Sequence, residues 1–286
     1  MKSTLEPVLS KRNADPHDKN IQFFEKGHKY VISFDPNTTY TSVTTWNHTL
    51  FPQFDADEVI TNMMKGKGWK EGHKYWGQTP EQIKQLWDSN KNTVANSGTD
   101  LHFEIECFMN NKKLKKVYYT NQDLYNMYQE NPVNINTALE WQYFINFIKD
   151  HPELKPYRTE WLIYDDDVKI SGSIDMVYEN PDGTLSIYDW KRAKNITRIN
   201  NFNRFATHPF VCHLPDSNYW HYAMQLNTYK YILEKKYNKK IRDLFLVRLH
   251  PEAEEKNYEL ITLPDLSTEI EDLFLERKKQ IYGETA

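Results

Sequence analysis

From residue 97 to the end of the chain, apolar positions switch between two periods. Helical spacing begins after Ser97, a good N-cap with Asp100 three residues on, and predicts a helix running to about residue 110. The same spacing recurs over residues 121–130, 136–150, 219–237 and 267–281. Runs rich in β-branched and aromatic residues, at 158–164, 168–179, 184–190, 242–249 and 258–263, predict strands. Upstream the signals thin to a short strand at 29–34 and short helices at 55–64 and 80–88. Helices on either side of a mostly antiparallel strand set predict an α/β or α+β fold, a central mixed sheet flanked by helices. No repeat or linker marks a sharp boundary. The change in signal divides the chain into a helical and irregular N-terminal extension, 1–95, and a core domain, 96–286.

Composition narrows the function classes. With 286 residues, 39% hydrophobic and 27% charged, the chain is long and apolar enough to bury a real core. Its two cysteines, Cys107 and Cys212, exclude a disulfide framework, a four-thiolate zinc site and a cysteine-ligated iron–sulfur cluster. No apolar run reaches a membrane span, and the first residues lack the apolar core of a signal peptide, so the expectation is a soluble intracellular protein with no membrane partner. The abundance of Asn, Lys, Ile and Tyr goes with an AT-rich coding genome, such as phages, viruses and some bacteria have. A net charge of -4 excludes a uniformly basic nucleic-acid coat. Three local basic stretches stand out instead: residues 191–204, with five cations and no anion; Lys112, Lys113, Lys115 and Lys116; and residues 65–74, which surround Trp69 and lead to Tyr75 and Trp76.

The most informative stretch is residues 170–191. Pro181 and Asp182 suit the middle of a type I turn, and Gly183 the left-handed residue closing a three-residue hairpin loop. That loop pairs Asn180 with Thr184, and the register carried back places Asp175 opposite Asp189. Two facing carboxylates repel, and a divalent cation between them offsets the repulsion, with hard oxygen ligands suited to Mg²⁺ or Mn²⁺. The period of two puts Lys191 on the strand face of Asp189. Two acids and a lysine make a hydrolytic site, in which metal acidifies water and lysine orients it or stabilises developing charge. A surface hairpin with one Asp–Lys ion pair is the alternative that spacing alone leaves open.

The ordered set Gly98-Thr-Asp-Leu-His102, Gly172-Ser-Ile-Asp175, Asp189-Trp-Lys191 and Gln225-Leu-Asn-Thr-Tyr229 resembles the PD-(D/E)XK nucleases. Within them it is similar to the RecB-like branch, which includes mitochondrial genome maintenance exonuclease and CRISPR adaptation nucleases. The resemblance implies a restriction-endonuclease-like core over 96–286, with one or two Mg²⁺ or Mn²⁺ ions bound by His102, Asp175, Asp189 and the backbone carbonyl of Trp190. It further implies that Lys191 assists the attacking water, that Glu160 binds a second ion or its water, and that Gln225 and Tyr229 border the site and touch the scissile strand. Arg192 stands where the family often has Thr or Ser, and the cysteine count predicts no iron–sulfur cluster.

The implied activity is metal-dependent phosphodiester hydrolysis, foremost a DNA exonuclease on single-stranded or frayed ends, with nucleic acid and replication, recombination or repair proteins as partners. An RNA-cleaving endonuclease of the same fold and a silent nucleic-acid-binding protein are the alternatives. Residues 1–95 then form a cap that threads the strand, with Trp69 and Trp76 as contacts. Glu106, four residues after His102, would orient the imidazole, help hold metal or pair at the surface. His208, Cys212, His213 and His221 match no common zinc spacing. Phe202, Phe205 and Phe210 either stack on bases or pack in the loop.

Overall fold

The strand run expected after residue 155 forms most of a six-stranded mixed sheet. The computed structural model describes residues 8–111, 114, 116–130 and 138–283. Among these, the strands are β1 (Ile21–Phe24), β2 (Lys29–Ile32), β3 (Thr41–Ser42), β4 (Lys155–Asp165), β5 (Ile170–Glu179), β6 (Leu185–Lys191), β7 (Ile241–Arg248) and β8 (Glu259–Thr262). The helices are α1 (Val8–Arg12), α2 (Val43–His48), α3 (Ala56–Lys65), α4 (Pro80–Met109), α5 (Asn121–Glu130), α6 (Leu139–Asp150), α7 (Asn218–Lys236) and α8 (Ser267–Tyr282). The chain divides into two compact units, Met1–Pro52 with His102–Ala286, and Gln53–Leu101. The first holds the sheet. The second holds α3, whose N-cap Asp55 accepts from the Asp57 and Glu58 amides, most of α4, and the ring cluster of Trp69 with Trp76 at 5.8 Å.

Within the sheet, the order is β3, β5, β6, β7, β8, and β4 pairs with β5 from the other edge. The hairpin loop is as the turn residues dictate: the Asn180 amide donates to the Thr184 carbonyl at 2.8 Å, and Gly183 has φ +81°. β6 and β7 run parallel, and α7 makes the long crossover that parallel pairing needs. β6 is buried almost throughout because both its faces are covered. Leu185 and Ile187 face the core that α7 completes with Met224, Leu226 and Ile232. Tyr188 and Trp190 face the other way, both meeting Phe147 of α6, with Trp190 at 5.4 Å. The alternation therefore assigns Asp189 and Lys191 to the α7 side.

One expected boundary is corrected. Residues 80–88 and 97–110 are not two helices but parts of the single helix α4. Ser97 does not cap it. Its hydroxyl donates back to the Thr93 carbonyl, as Thr93 does to Ser89 and Thr99 to Ala95, so polar side chains that usually favour helix ends are satisfied within the turn.

α7 crosses β5 at Gly172. A Cβ at this position would meet Tyr229 Cε1 at 2.7 Å and Val43 Cγ2 at 3.3 Å, so a hydrogen side chain is what lets the buried Tyr229 ring lie on the strand. Gly172→Ala should destabilise the fold by about 1–3 kcal/mol through overpacking, read as a lower urea midpoint. A midpoint equal to wild type would show that α7 can shift without cost.

Candidate metal and hydrolytic centre

The site grows from an interruption in the sheet. One edge of β5 is shared by two strands: β3 pairs with Ile170 and Ser171, and β6 with Met176 to Glu179. Residues 172–175 lie between them without a ladder partner on that edge. The expected register holds at Val177 with Ile187 and Glu179 with Leu185, and the ladder ends at Met176 and Tyr188, one pair short of Asp175 and Asp189. Asp175 instead uses its side chain, with Oδ2 accepting from the Trp190 amide at 3.0 Å. On the opposite edge, the pairs Thr159 with Met176 and Trp161 with Ile174 bracket Glu160 against Asp175. Glu160 has φ +43°, a left-handed conformation costly for a residue with a side chain and common at functional sites.

His102, Glu160 and Asp175 each offer a ligand atom, and these atoms lie within 4.8 Å of one another. They come from α4, β4 and β5. The His102 Nε2 lies 2.8 Å from the Trp190 carbonyl, which can only accept, so Nε2 carries the proton. Nδ1, on the other side of the ring, lies 3.5 Å from Asp175 Oδ2. Imidazole nitrogen and carboxylate oxygen facing one another are a suitable donor set for a divalent cation. The carboxyl energetics agree. Burial, and then the Asp175 charge, push Glu160 up to about 8, against the Ser173 hydroxyl that donates to it at 2.9 Å.

Asp189 is 1% exposed, beside this cluster but not within it. Its Oδ2 meets Lys191 Nζ at 2.6 Å, and its Oδ1 has no hydrogen-bond partner. Burial and the Asp175 charge push its carboxyl up to about 6, against the pull of Lys191. For Lys191, burial favours the neutral amine, but Asp189 and Asp175 outweigh it and raise the pKa, so the side chain stays an ammonium. It lies 4.5 Å from the centroid of the Tyr222 ring. An orphaned buried carboxylate oxygen and like charges at close quarters both fit a site that holds a cation.

The remaining candidates fall in different places. Gln225 lines a cavity with Lys191, and its amide donates to the Tyr229 hydroxyl at 3.1 Å, while Tyr229 is 3% exposed in the core. Arg192 donates to Glu140 of α6 at 2.7 Å, tying the end of β6 to that helix. The charge on Glu106 adds to the field on Glu160. The run from residue 191 is less basic in space than in sequence, since Lys191, Arg192 and Lys194 meet Asp189, Glu140 and Glu252. Phe202 is 83% exposed, and Phe205 and Phe210 are exposed as well. Lys116 pairs with Asp123, and Lys112, Lys113 and Lys115 lie outside the described residues. The histidines near Cys212 do not converge: His208, His213 and His221 pair with Glu276, Glu269 and Asp216. Sequence reasoning missed Ser173, although it lies two residues before Asp175 and so on the same strand face.

The family described as the PD-(D/E)XK nuclease superfamily matches residues 120–285, a span that includes Glu160, Asp175, Asp189, Lys191, Gln225 and Tyr229. No curated protein matches the chain. Among the described residues, no helix is long and apolar enough to cross a membrane.

A carboxyl whose folded pKa is raised holds its proton more tightly in the native state. The stability this gives is present at low pH and is lost as pH rises, for Glu160 from its ordinary 4.5 through about 8. Asp189 adds the same sign of slope up to about 6, so the effect of Glu160 is read above that. In EDTA, stability should decline there by at most about 1.4 kcal/mol per pH unit. Glu160→Gln should flatten the decline and Mn²⁺ should offset it. Urea melts with equal slopes in wild type and Glu160→Gln would remove Glu160 from the cluster.

Proposed function

Because this chain belongs to the PD-(D/E)XK nuclease superfamily, we propose that it is a metal-dependent nuclease of the RecB-like branch, a DNA exonuclease acting on single-stranded or frayed ends. One observation carries the hydrolytic reading: His102, Glu160 and Asp175 converge on one point beside the buried Asp189–Lys191 pair. The choice of DNA and of chain ends follows the RecB-like resemblance of the four motifs.

An Mg²⁺ or Mn²⁺ ion held by His102, Asp175 and Asp189, with Glu160 at its side or on a second ion, would supply Lewis-acid charge to the scissile phosphate. The Trp190 carbonyl, expected from the resemblance to be a ligand, is taken up by His102 Nε2 and orients the imidazole. Lys191 does the work of a fixed donor. As an ammonium it cannot take a proton from water, but it can orient the attacking oxygen and balance negative charge on the phosphorane-like transition state. Asp189 aims it, and the Tyr222 ring limits its swing. Gln225 faces the substrate side and Tyr229 fixes its carboxamide from below. Trp190 serves twice, its amide holding Asp175 and its carbonyl holding His102. Within the N-terminal extension, Val43, Trp46 and Leu50 are core residues of the sheet unit. The strand-guiding role goes to the N-terminal extension, residues 1–95, with Trp69 and Trp76 as contacts. Replication, recombination or repair proteins are the fitting partners for such an activity.

Labelled single-stranded DNA, duplex DNA and RNA of one sequence, each with Mg²⁺, Mn²⁺ or EDTA, test the proposal. Metal-dependent shortening of DNA from one end is the expected result, and internal cuts in RNA alone would replace it with the endonuclease reading. Asp175→Ala, Asp189→Ala and Lys191→Ala should each lower turnover by at least about 100-fold. Melting curves accompany them, since Asp189→Ala leaves a buried ammonium without its partner. Wild-type turnover in any of the three would sink the assignment.

A further inference from the structure

Between the end of β6 and the start of α7, the loop at residues 195–215 carries Arg198 and Arg204 and no acidic residue. At its turn it exposes what a fold usually buries. Ile199 is 70% and Phe202 83% exposed, and Phe205 is exposed close behind them in sequence. One exposed apolar side chain is ordinary, but three so close together on one loop mark a contact surface. The backbone that carries them is braced. Asn200 Oδ1 accepts from the Phe202 amide at 2.7 Å and the Arg204 amide at 3.4 Å, and its Nδ2 donates to the Asp216 carbonyl at 2.6 Å. The Asp216 amide donates to the Arg204 carbonyl at 2.9 Å, and Asn203 takes a left-handed φ of +53°, which asparagine tolerates in turns. Trp220 of α7 donates to the Arg198 carbonyl at 3.0 Å. The Phe202 ring is thus held out on a fixed turn.

Charge says what meets this surface. The ion pairs of the region pass through Arg192, Lys194, His208 and His213, and among the described residues none takes Arg198 or Arg204. The acid that ends the loop, Asp216, bonds His221 at 2.8 Å. The Arg198 guanidinium lies over the Tyr219 ring at 4.6 Å, which positions it without neutralising it. An exposed ring between two uncompensated guanidinium groups fits a polyanion that carries flat apolar units, a nucleic-acid strand with unpaired bases. A duplex keeps those base faces within its own stack. Asp216, whose backbone braces the turn, lines a cavity next to the end of β6 together with Lys191, so the loop adjoins the approach to the hydrolytic centre.

We propose that the loop from Arg198 to Phe205 is a single-strand platform, on which the Phe202 ring stacks with an unpaired base while Arg198 and Arg204 hold flanking phosphates. The platform rests on the nuclease reading of the centre for its substrate. It gives that activity a physical reason to prefer single-stranded or frayed ends, because only an unpaired base has a face to offer Phe202. The grip it provides does not depend on metal.

Fluorescence-anisotropy titration of the full chain in EDTA with labelled single-stranded DNA, an abasic strand of equal length and duplex DNA tests it. The base-bearing single strand should bind tightest. Phe202→Ala should weaken that binding at least about five-fold and leave the abasic strand unchanged. Phe202→Tyr should keep the affinity, whereas Phe202→Leu, apolar but not flat, should lose it. Arg204→Gln should weaken both single strands and reduce the slope of log affinity against log salt by about 0.7. Melting temperatures should match wild type, because both side chains are exposed. Base-bearing and abasic strands bound alike, wild-type affinity in Phe202→Ala, or full affinity in Phe202→Leu would overturn the platform. So would a dimer in sedimentation that Phe202→Ala dissociates, which would give the loop to a second copy of the chain. Cleavage of DNA with Mg²⁺ by a protein whose strand affinity ignores Phe202 would leave the nuclease reading standing without the platform. Binding that depends on Phe202, in a protein that cleaves nothing, would do the reverse.

Discussion

The open edge of β5 at residues 172–175 is the constraint on which the centre depends. A sheet satisfies its backbone groups by pairing, and a strand flanked on both edges along its whole length has no room for a side chain to reach across. Here β3 and β6 share one edge of β5 and leave four residues between them. Into that gap come Gly172, whose missing side chain admits the Tyr229 ring, and Asp175, whose carboxylate takes over the Trp190 amide. The same interruption gathers groups from α4, β4, β5 and β6, elements distant in sequence, around one point.

The centre is assembled at an energetic cost that the surrounding fold offsets. Glu160 has a left-handed backbone, its carboxyl is driven up by burial and by Asp175, and Asp189 is buried with one oxygen unpartnered. None of this stabilises the fold by itself. Trp141, Phe144 and Phe147 on one face, and the α7 core on the other, hold β6 firmly enough that its two charged residues have no cheaper arrangement. Such preorganised, unsatisfied charge is what a cation site requires, since the ion then adds bonds without rearranging ligands.

Much of this was legible in the chain. The helices at 121–130 and 219–237, the strands from 155 to 191 and the hairpin at 180–184 follow from period and turn chemistry within a residue or a few, because those signals are local. The continuous α4 was not legible. Ser97, Thr93 and Thr99 belong to residue types that compete with helix as often as they cap it, and only their back-bonds to the preceding turn show which outcome holds.

The sequence by itself determined the strand order in time, the turn, the face shared by Asp189 and Lys191, and the residue types of a PD-(D/E)XK centre. Tertiary structure alone added a second carboxylate against Asp175. Register counted from the hairpin places Asp189 beside it, and Asp175 does raise the Asp189 carboxyl, but Glu160 reaches Asp175 from β4 on the opposite edge, which no count along the hairpin shows. It also decided which cations are free to meet a ligand, because the basic run at residues 191–194 finds its acids on α6, on β6 and at Glu252. Asn47 shows the limit most plainly. A lone asparagine in a short helix has no pattern to mark it, and only the packing that closes around its carboxamide leaves both its polar atoms without a partner.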